Sequence, residues 1–153
     1  MVLAAFLLQL AAPAGAQADA PLPDGLVECG GTTTLAAVER YFLDLLRALA
    51  TPGPPARFNR FVSDRFRIRD GRGRTLTFNL SEVGSVTPGR ISIREWQEIS
   101  RRGAESLRGA GYRGCFLDHG KVWFEGGMAN AFGLTLIAKD MPWEEPERGD
   151  VVP

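Results

Sequence analysis

The chain has 153 residues, 44% hydrophobic and 24% charged, a length and composition that fit one globular domain with a real core and make a second domain unnecessary. Eighteen basic side chains balance eighteen acidic ones, so the charge totals give no reason to expect a nucleic-acid or membrane-surface partner. The charges are unevenly placed, however, because thirteen arginines and no lysine lie between residues 57 and 113.

The N-terminus has the pattern of an export signal. Residues 1–12 form a nearly unbroken apolar run, and small residues suited to cleavage follow around Ala16 and Ala18. We therefore predict a signal peptide over residues 1–18 and a mature protein in the periplasm or outside the cell. A membrane span needs about 20 apolar residues, so no transmembrane segment is expected in the mature chain.

Two cysteines follow the predicted signal. Cys29 lies in a segment without periodicity, residues 19–32, which we predict to be a flexible arm. In an oxidising compartment Cys29 and Cys115 can form one disulfide that ties this arm to a central strand. The alternative is a buried thiol at Cys115 and an unrelated Cys29. His119 is the one histidine and no CxxC spacing occurs, so we expect neither a metal site nor a cofactor.

Periodicity and capping residues predict three helices. Thr33 or Thr34 can cap the first, which ends before the segment 51–55. Its expected buried positions share a 3.6-residue period and are Leu35, Val38, Phe42, Leu45, Leu46 and Leu49. A short helix is expected over residues 55–62. Ser92 and Glu95 form a capping box that starts the third helix.

An arginine-rich hairpin lies between the second and third helices. Residues 65–69 alternate with period two and precede a turn and a second strand, residues 75–78. Phe66 and Ile68 should face the core, leaving Arg65, Arg67 and Arg69 on the other face. These arginines are either the protected solvent face of an edge strand or an anion-binding site, because guanidinium groups match carboxylate and phosphate.

A second hairpin is predicted over residues 111–125, with a two-residue turn at His119 and Gly120. Its register places apolar side chains on one face: Cys115, Leu117, Val122 and Phe124. The other face carries Tyr112, Phe116, Asp118, Lys121, Trp123 and Glu125. Tyr112, Phe116 and Trp123 are candidates for a ligand-facing wall or a subunit interface.

A third strand of this meander is predicted over residues 131–139. One side of it should carry Phe132, Leu134, Leu136 and Ala138. The remaining residues, 144–153, are acid-rich and are predicted to form a disordered tail.

The order of these elements resembles the NTF2-like (cystatin-like) α+β fold over residues 33–143, and the segment GCFLDHGKVWFEGG resembles a hairpin of many secreted members. The resemblance implies a curved antiparallel sheet wrapped around helices, with a cone-shaped cavity. It does not by itself define a function.

Enzymes in this superfamily pair a carboxylate with tyrosine or histidine groups in the cavity. The resemblance suggests Tyr41, Asp64 and either Glu125 or Asp118 for these roles. The structural alternative is a core-rim Tyr41 with its hydroxyl in water, and an Asp64 paired with Arg60 or Arg65.

Three functions therefore remain open. The first is an exported, non-catalytic domain that binds a small apolar ligand or associates through its sheet, for example as a homodimer. The others are an acid/base enzyme of the isomerase or dehydratase type and an anion-binding module using the arginine strand.

Overall fold

A computed structural model describes residues 25–79, 82, 90–127 and 132–144. The predicted signal peptide and all but the first residue of the predicted acidic tail lie outside these ranges. Within them the fold is α+β, with a two-stranded hairpin and a mixed six-stranded sheet.

Helix α1 spans Leu35–Ala50 and begins at Thr34, whose side-chain oxygen accepts a hydrogen bond from the Ala37 amide at 3.1 Å. Its buried positions are Val38, Tyr41, Phe42, Leu45 and Ala48. Leu35 and Leu46 were expected in this set, but they are 47% and 50% exposed. The buried stripe is centred nearer to Tyr41 than the spacing of the leucines suggested. Each helical residue turns the side-chain direction by roughly 100°, so this shift moves Leu35 and Leu46 toward solvent.

The two other predicted helices are present. A 3₁₀ helix spans Pro55–Phe61 and buries Phe58 and Phe61. Helix α2 spans Ile93–Arg102 and begins with the predicted capping box, in which the Ser92 hydroxyl accepts from the Glu95 amide and the Glu95 carboxylate accepts from the Ser92 amide. Trp96 of α2 stacks on Phe58, with ring centroids 5.3 Å apart.

Eight strands are described. Strands β1 (Leu26–Glu28) and β2 (Thr32–Thr34) form the small hairpin, so the end of the segment predicted as a flexible arm has regular structure. The larger sheet contains β3 (Val62–Arg69), β4 (Thr75–Asn79), β5 (Arg108–Gly109), β6 (Cys115–Leu117), β7 (Val122–Gly126) and β8 (Phe132–Ala138).

The strand order in the larger sheet is β4-β3-β8-β7-β6-β5. Strands β3 and β8 are parallel, whereas the other neighbours are antiparallel. The expectation of a purely antiparallel sheet was therefore wrong. The reason is that the last strand returns beside β3, the first strand of the sheet, after the chain has passed through α2 and the meander.

The central hairpin has the predicted register, with Leu117 opposite Val122, Phe116 opposite Trp123 and Cys115 opposite Phe124. His119 and Gly120 both have positive φ, 50° and 95°, and the Lys121 amide donates to the Asp118 carbonyl at 2.9 Å. The connection is longer than the predicted two-residue turn, because Asp118 also has positive φ, 49°, and four residues, 118–121, lie between β6 and β7. Asp118 and Lys121 therefore leave the alternation of the strands.

Strand β8 departs from the predicted alternation. Phe124 pairs with Leu134 but Trp123 pairs with Leu136, so Thr135 is an extra residue on β8. This bulge moves Leu136 to the face of Trp123 and places Ile137 in the core, where it is fully buried. The expectation that Leu134 and Leu136 share a face was wrong for this reason.

Aromatic rings fill the space between α1 and the sheet. The Tyr41 ring lies 5.1–5.7 Å from four others, those of Phe42, Phe61, Phe124 and Phe132. Phe124 and Phe132 are also stacked, at 5.3 Å and with an interplanar angle of 7°. This cluster fixes α1 on the sheet, because edge-to-face and offset aromatic pairs stabilise beyond their buried area.

Candidate functional site

Tyr41 is a core residue. Its hydroxyl donates a hydrogen bond to the Phe61 carbonyl at 3.2 Å, and burial raises the pKa of the phenol well above its ordinary value. The alternative of a rim tyrosine with a wet hydroxyl was wrong, because the buried stripe of α1 is centred closer to this residue than the leucine spacing suggested. The hydroxyl joins α1 to the 3₁₀ helix.

The two other catalytic candidates line one surface groove. It has a volume of about 650 Å³ and is lined by residues that include Arg60, Asp64, Arg65, Glu125, Gly126 and Phe132. We call it the charged groove. Asp64 and Glu125 are exposed, and among the described residues neither is ion-paired within 4.0 Å, so Asp64 does not form the pair expected with Arg60 or Arg65.

Asp118 and Lys121 are buried, although both were expected on the polar face of the hairpin. Asp118 forms an ion pair with Arg102, and the two side chains are only 4% and 10% exposed. The Lys121 ammonium donates to the carbonyls of Ala138, at 2.9 Å, and Met141. Burial raises the pKa of Asp118 against the opposing effect of Arg102 and Lys121, and burial lowers the pKa of Lys121.

This buried polar cluster holds the C-terminal segment of the described chain. Two cations contact the Trp143 ring: the Arg102 guanidinium lies 5.0 Å from the ring centroid and the Lys121 ammonium lies 4.9 Å from it. Arg102 also donates to the Glu144 carbonyl. The positions of Asp118 and Lys121 are therefore explained by contacts within the chain, and these two side chains do not form part of an exposed wall.

The predicted aromatic wall is present in part. Phe116 and Trp123 are half-buried neighbours with ring centroids 5.3 Å apart. Tyr112 is 89% exposed and lies on a 3₁₀ turn, Gly111–Arg113, rather than on a strand. The chain turns there because Gly111 and Gly114 both have positive φ, and β6 begins only at Cys115.

The strand registers align six side chains in one line across the outer face of the sheet. In spatial order they are Arg108, Phe116, Trp123, Leu136, Arg67 and Thr77, one from each strand. We call this line the outer row. Its centre is apolar and each side of that centre carries an arginine, Arg67 and Arg108, that is exposed.

The arginine strand flanks the outer row. Phe66 and Ile68 are buried on the core side, and Arg65 and Arg67 point away and are exposed, as predicted. Arg69 is different, because its guanidinium is paired with Asp140 at 2.6 Å and holds the pKa of that carboxyl below its usual range. Arg65 and Arg67 make no ion pair within the described residues.

Cys29 and Cys115 lie at disulfide-bonding distance, with Cα atoms 4.9 Å apart. The bridge links the β1–β2 hairpin to β6, as predicted for a disulfide between these two residues.

Reduction should therefore lower stability by roughly 2 to 4 kcal/mol, because the bond closes a long loop, with a sequence separation of 86 residues. The measurement is a denaturant melt with and without reductant. A Cys29→Ser/Cys115→Ser variant is the control, since its stability should not respond to reductant. An equal response in both proteins, or none in the wild type, would contradict the bridge.

No cluster of three or more His, Cys, Asp or Glu residues with metal-binding geometry occurs in the described ranges. None of the helices in the same ranges has the length and apolar character that a membrane span requires.

Comparison with protein-family models, with curated proteins and with solved structures found no match to this chain.

The sequence did not reveal three members of the outer row, Leu136, Arg108 and Thr77. Leu136 was assigned to the wrong face because nothing local marks the bulge at Thr135. Arg108 lies on a two-residue strand, which is too short to show an alternating pattern.

Proposed function

We propose that this protein is an exported, non-catalytic binding module of the NTF2-like class whose outer row binds an acidic, partly apolar segment of another protein. The observation that carries this proposal is the outer row itself, in which two half-buried aromatic rings and a leucine lie between exposed Arg67 and Arg108. The predicted element order supports the NTF2-like class. The hydrogen bond that the Tyr41 hydroxyl donates to a main-chain carbonyl supports a non-catalytic role.

Charge favours an acidic partner over a second copy of this chain. On this face Arg65, Arg67 and Arg108 form no ion pair within the described residues, whereas Glu125 is the exposed acid on β7. Two copies meeting face to face would bring these arginines together, and like charges across an interface are costly. An acidic segment would instead form charge-assisted hydrogen bonds with them.

A protein partner fits better than a nucleic acid. The sequence pI is about 6.6, whereas nucleic-acid-binding domains are typically strongly basic. The apolar centre of the outer row also suits aliphatic or aromatic side chains, which contribute binding energy when they are buried at the centre of an interface.

The spacing of the row defines a test ligand. Arg67 and Arg108 are separated by four strand spacings, roughly 19 Å at about 4.8 Å each. An extended peptide covers this distance with about six residues, at roughly 3.3 Å per residue. A hexapeptide with glutamates at both ends and leucines between them therefore matches the row.

We expect this hexapeptide to bind, and to produce a saturable change in tryptophan fluorescence. An Arg67→Gln/Arg108→Gln variant should bind it about tenfold more weakly, because both charge-assisted contacts are lost. Affinity should fall as salt rises. The matched control peptide has lysines in place of the glutamates. Equal binding of the two peptides, or equal affinity of the variant, would contradict the proposal.

A further inference from the structure

The charged groove lies at the opening between β3, β7 and β8. The β3–β8 ladder passes from the pair Val62–Leu134 directly to the pair Arg67–Leu136, so β3 has several more residues than β8 between these points. Extra residues in one strand make it bend away from its neighbour. Gly133 keeps the two strands close below this point, since a Cβ there would lie 3.3 Å from the Ser63 amide nitrogen.

The groove contains exposed charges of both signs. Arg60 and Arg65 supply two guanidinium groups, and Asp64 and Glu125 supply two carboxylates. No ion pair within 4.0 Å joins any of the four to another described residue. Opposite charges in one groove thus stay available to a ligand instead of neutralising each other.

The groove also has an ordered apolar wall. Phe132 lines it and stacks on buried Phe124 at 5.3 Å, which holds its ring in place. The Arg60 guanidinium lies over the Phe61 ring, 4.8 Å from its centroid. This stacking leaves the N–H groups at the edge of the guanidinium plane free to donate to an anion.

The mixture of charges selects the kind of ligand. An anion attracted by Arg60 and Arg65 would be repelled by Asp64 and Glu125. A cation would be attracted by the two carboxylates and repelled by the two arginines. A ligand with one ammonium and one carboxylate can contact both pairs. The volume of about 650 Å³ lies in the usual range for small-molecule sites.

We propose that the charged groove binds a small zwitterion with an α-ammonium and an α-carboxylate group, that is, a free amino acid or a short unblocked peptide. This inference goes beyond the binding proposed for the outer row, because Arg60, Asp64 and Glu125 are not members of that row.

The test is an amide-shift NMR titration of the full mature chain. The probes are alanine, leucine and phenylalanine as free amino acids, and the dipeptides in which each of these residues precedes alanine. Each amino acid and each dipeptide is also used in N-acetylated and in C-amidated form. Saturable shifts with the amino acids but not the dipeptides would identify a single residue as the ligand, and the reverse would identify a peptide.

Blocking either end of a bound dipeptide should weaken binding about tenfold, because one charged contact is lost. For the ammonium end, Asp64→Asn/Glu125→Gln should remove the difference between free and acetylated peptides. For the carboxylate end, Arg60→Gln/Arg65→Gln should remove the difference between free and amidated peptides. Arg67→Gln lies on the same strand as Asp64 but outside the groove, and it should leave all these affinities unchanged.

Two results would overturn the inference. The first is no saturable shift with any probe up to about 10 mM, beyond which binding is too weak to be specific. The second is equal affinity for the blocked and unblocked forms. The outer-row proposal is tested separately, because loss of hexapeptide binding in the Arg67 variant does not depend on Arg60.

Discussion

Replacing Arg102 with methionine should lower the free energy of unfolding by about 3 to 5 kcal/mol, because it leaves the Asp118 carboxylate buried without its cation. Asp118 is 4% exposed, and one of its carboxylate oxygens, Oδ2, already has no hydrogen-bond partner in the described structure. The variant also loses the contacts of the guanidinium with Trp143 and the Glu144 carbonyl. Urea unfolding measures the change.

A double-mutant cycle, with Arg102→Met and Asp118→Asn made singly and together, separates the charge from the lost packing. Adding Asp118→Asn to the Arg102→Met variant should recover part of the loss, since both charges are then absent. Asparagine suits this position because φ of residue 118 is 49°, in the left-handed region. If the double variant is as unstable as the sum of the single variants, the ion pair does not explain the effect.

The same pair predicts a dependence on pH. Burial raises the pKa of Asp118 in the folded state, so between its ordinary pKa and this raised value the folded protein binds a proton more readily than the unfolded chain. Through this group, stability therefore increases as the pH falls through the folded pKa. The loss of unfolding free energy in Arg102→Met should accordingly become smaller at acid pH, where the Asp118 carboxyl is neutral.

The second large effect is expected for Phe124→Ala, which should cost about 3 to 5 kcal/mol because it leaves a cavity at a fully buried aromatic position. Phe124 contacts the rings of Tyr41, Phe42 and Phe132. Trp123→Ala is the matched comparison on the adjacent residue. Trp123 is only half-buried, so its removal should cost less.

The pair of variants is compared in the same denaturant melts. A larger loss for Trp123→Ala would contradict the assignment of the two faces of β7. Such a result would also undermine the outer row, which requires Trp123 to lie away from the core.

Local patterns predicted most elements of the fold. The Ser92–Glu95 capping box fixed the start of α2, because both of its hydrogen bonds form within one helical turn. The register of the β6–β7 hairpin was also predictable, since a turn centred on His119 and Gly120 leaves only one pairing that puts Phe124 on the core side. The length of the connection was not, because nothing local marks the positive φ of Asp118.

Features that depend on distant parts of the chain were not predictable in the same way. The parallel pairing of β3 with β8 joins strands that are far apart in sequence, and alternation within each strand is the same for either direction. The bulge at Thr135 and the burial of Lys121 also depend on residues that are distant in sequence. Lys121 is stabilised by carbonyls at residues 138 and 141, which no pattern near the turn can reveal.

The candidate site was predicted in pieces. Phe116, Trp123 and Arg67 were each identified from their own hairpin, but the line that joins them exists only because β8 places Leu136 between the two hairpins. Asp64 and Glu125 were likewise suggested singly, whereas their convergence on one groove depends on the bend of β3 beside β8.

The decisive measurement for the outer row is amide-shift mapping of the glutamate-ended hexapeptide on the isotopically labelled protein. We expect the largest shifts at five amides that are far apart in sequence and adjacent only across the sheet: Arg67, Leu136, Trp123, Phe116 and Arg108. Shifts confined to the charged groove or to the exposed side of α1, with these five amides unchanged at saturation, would contradict the binding proposed for the outer row.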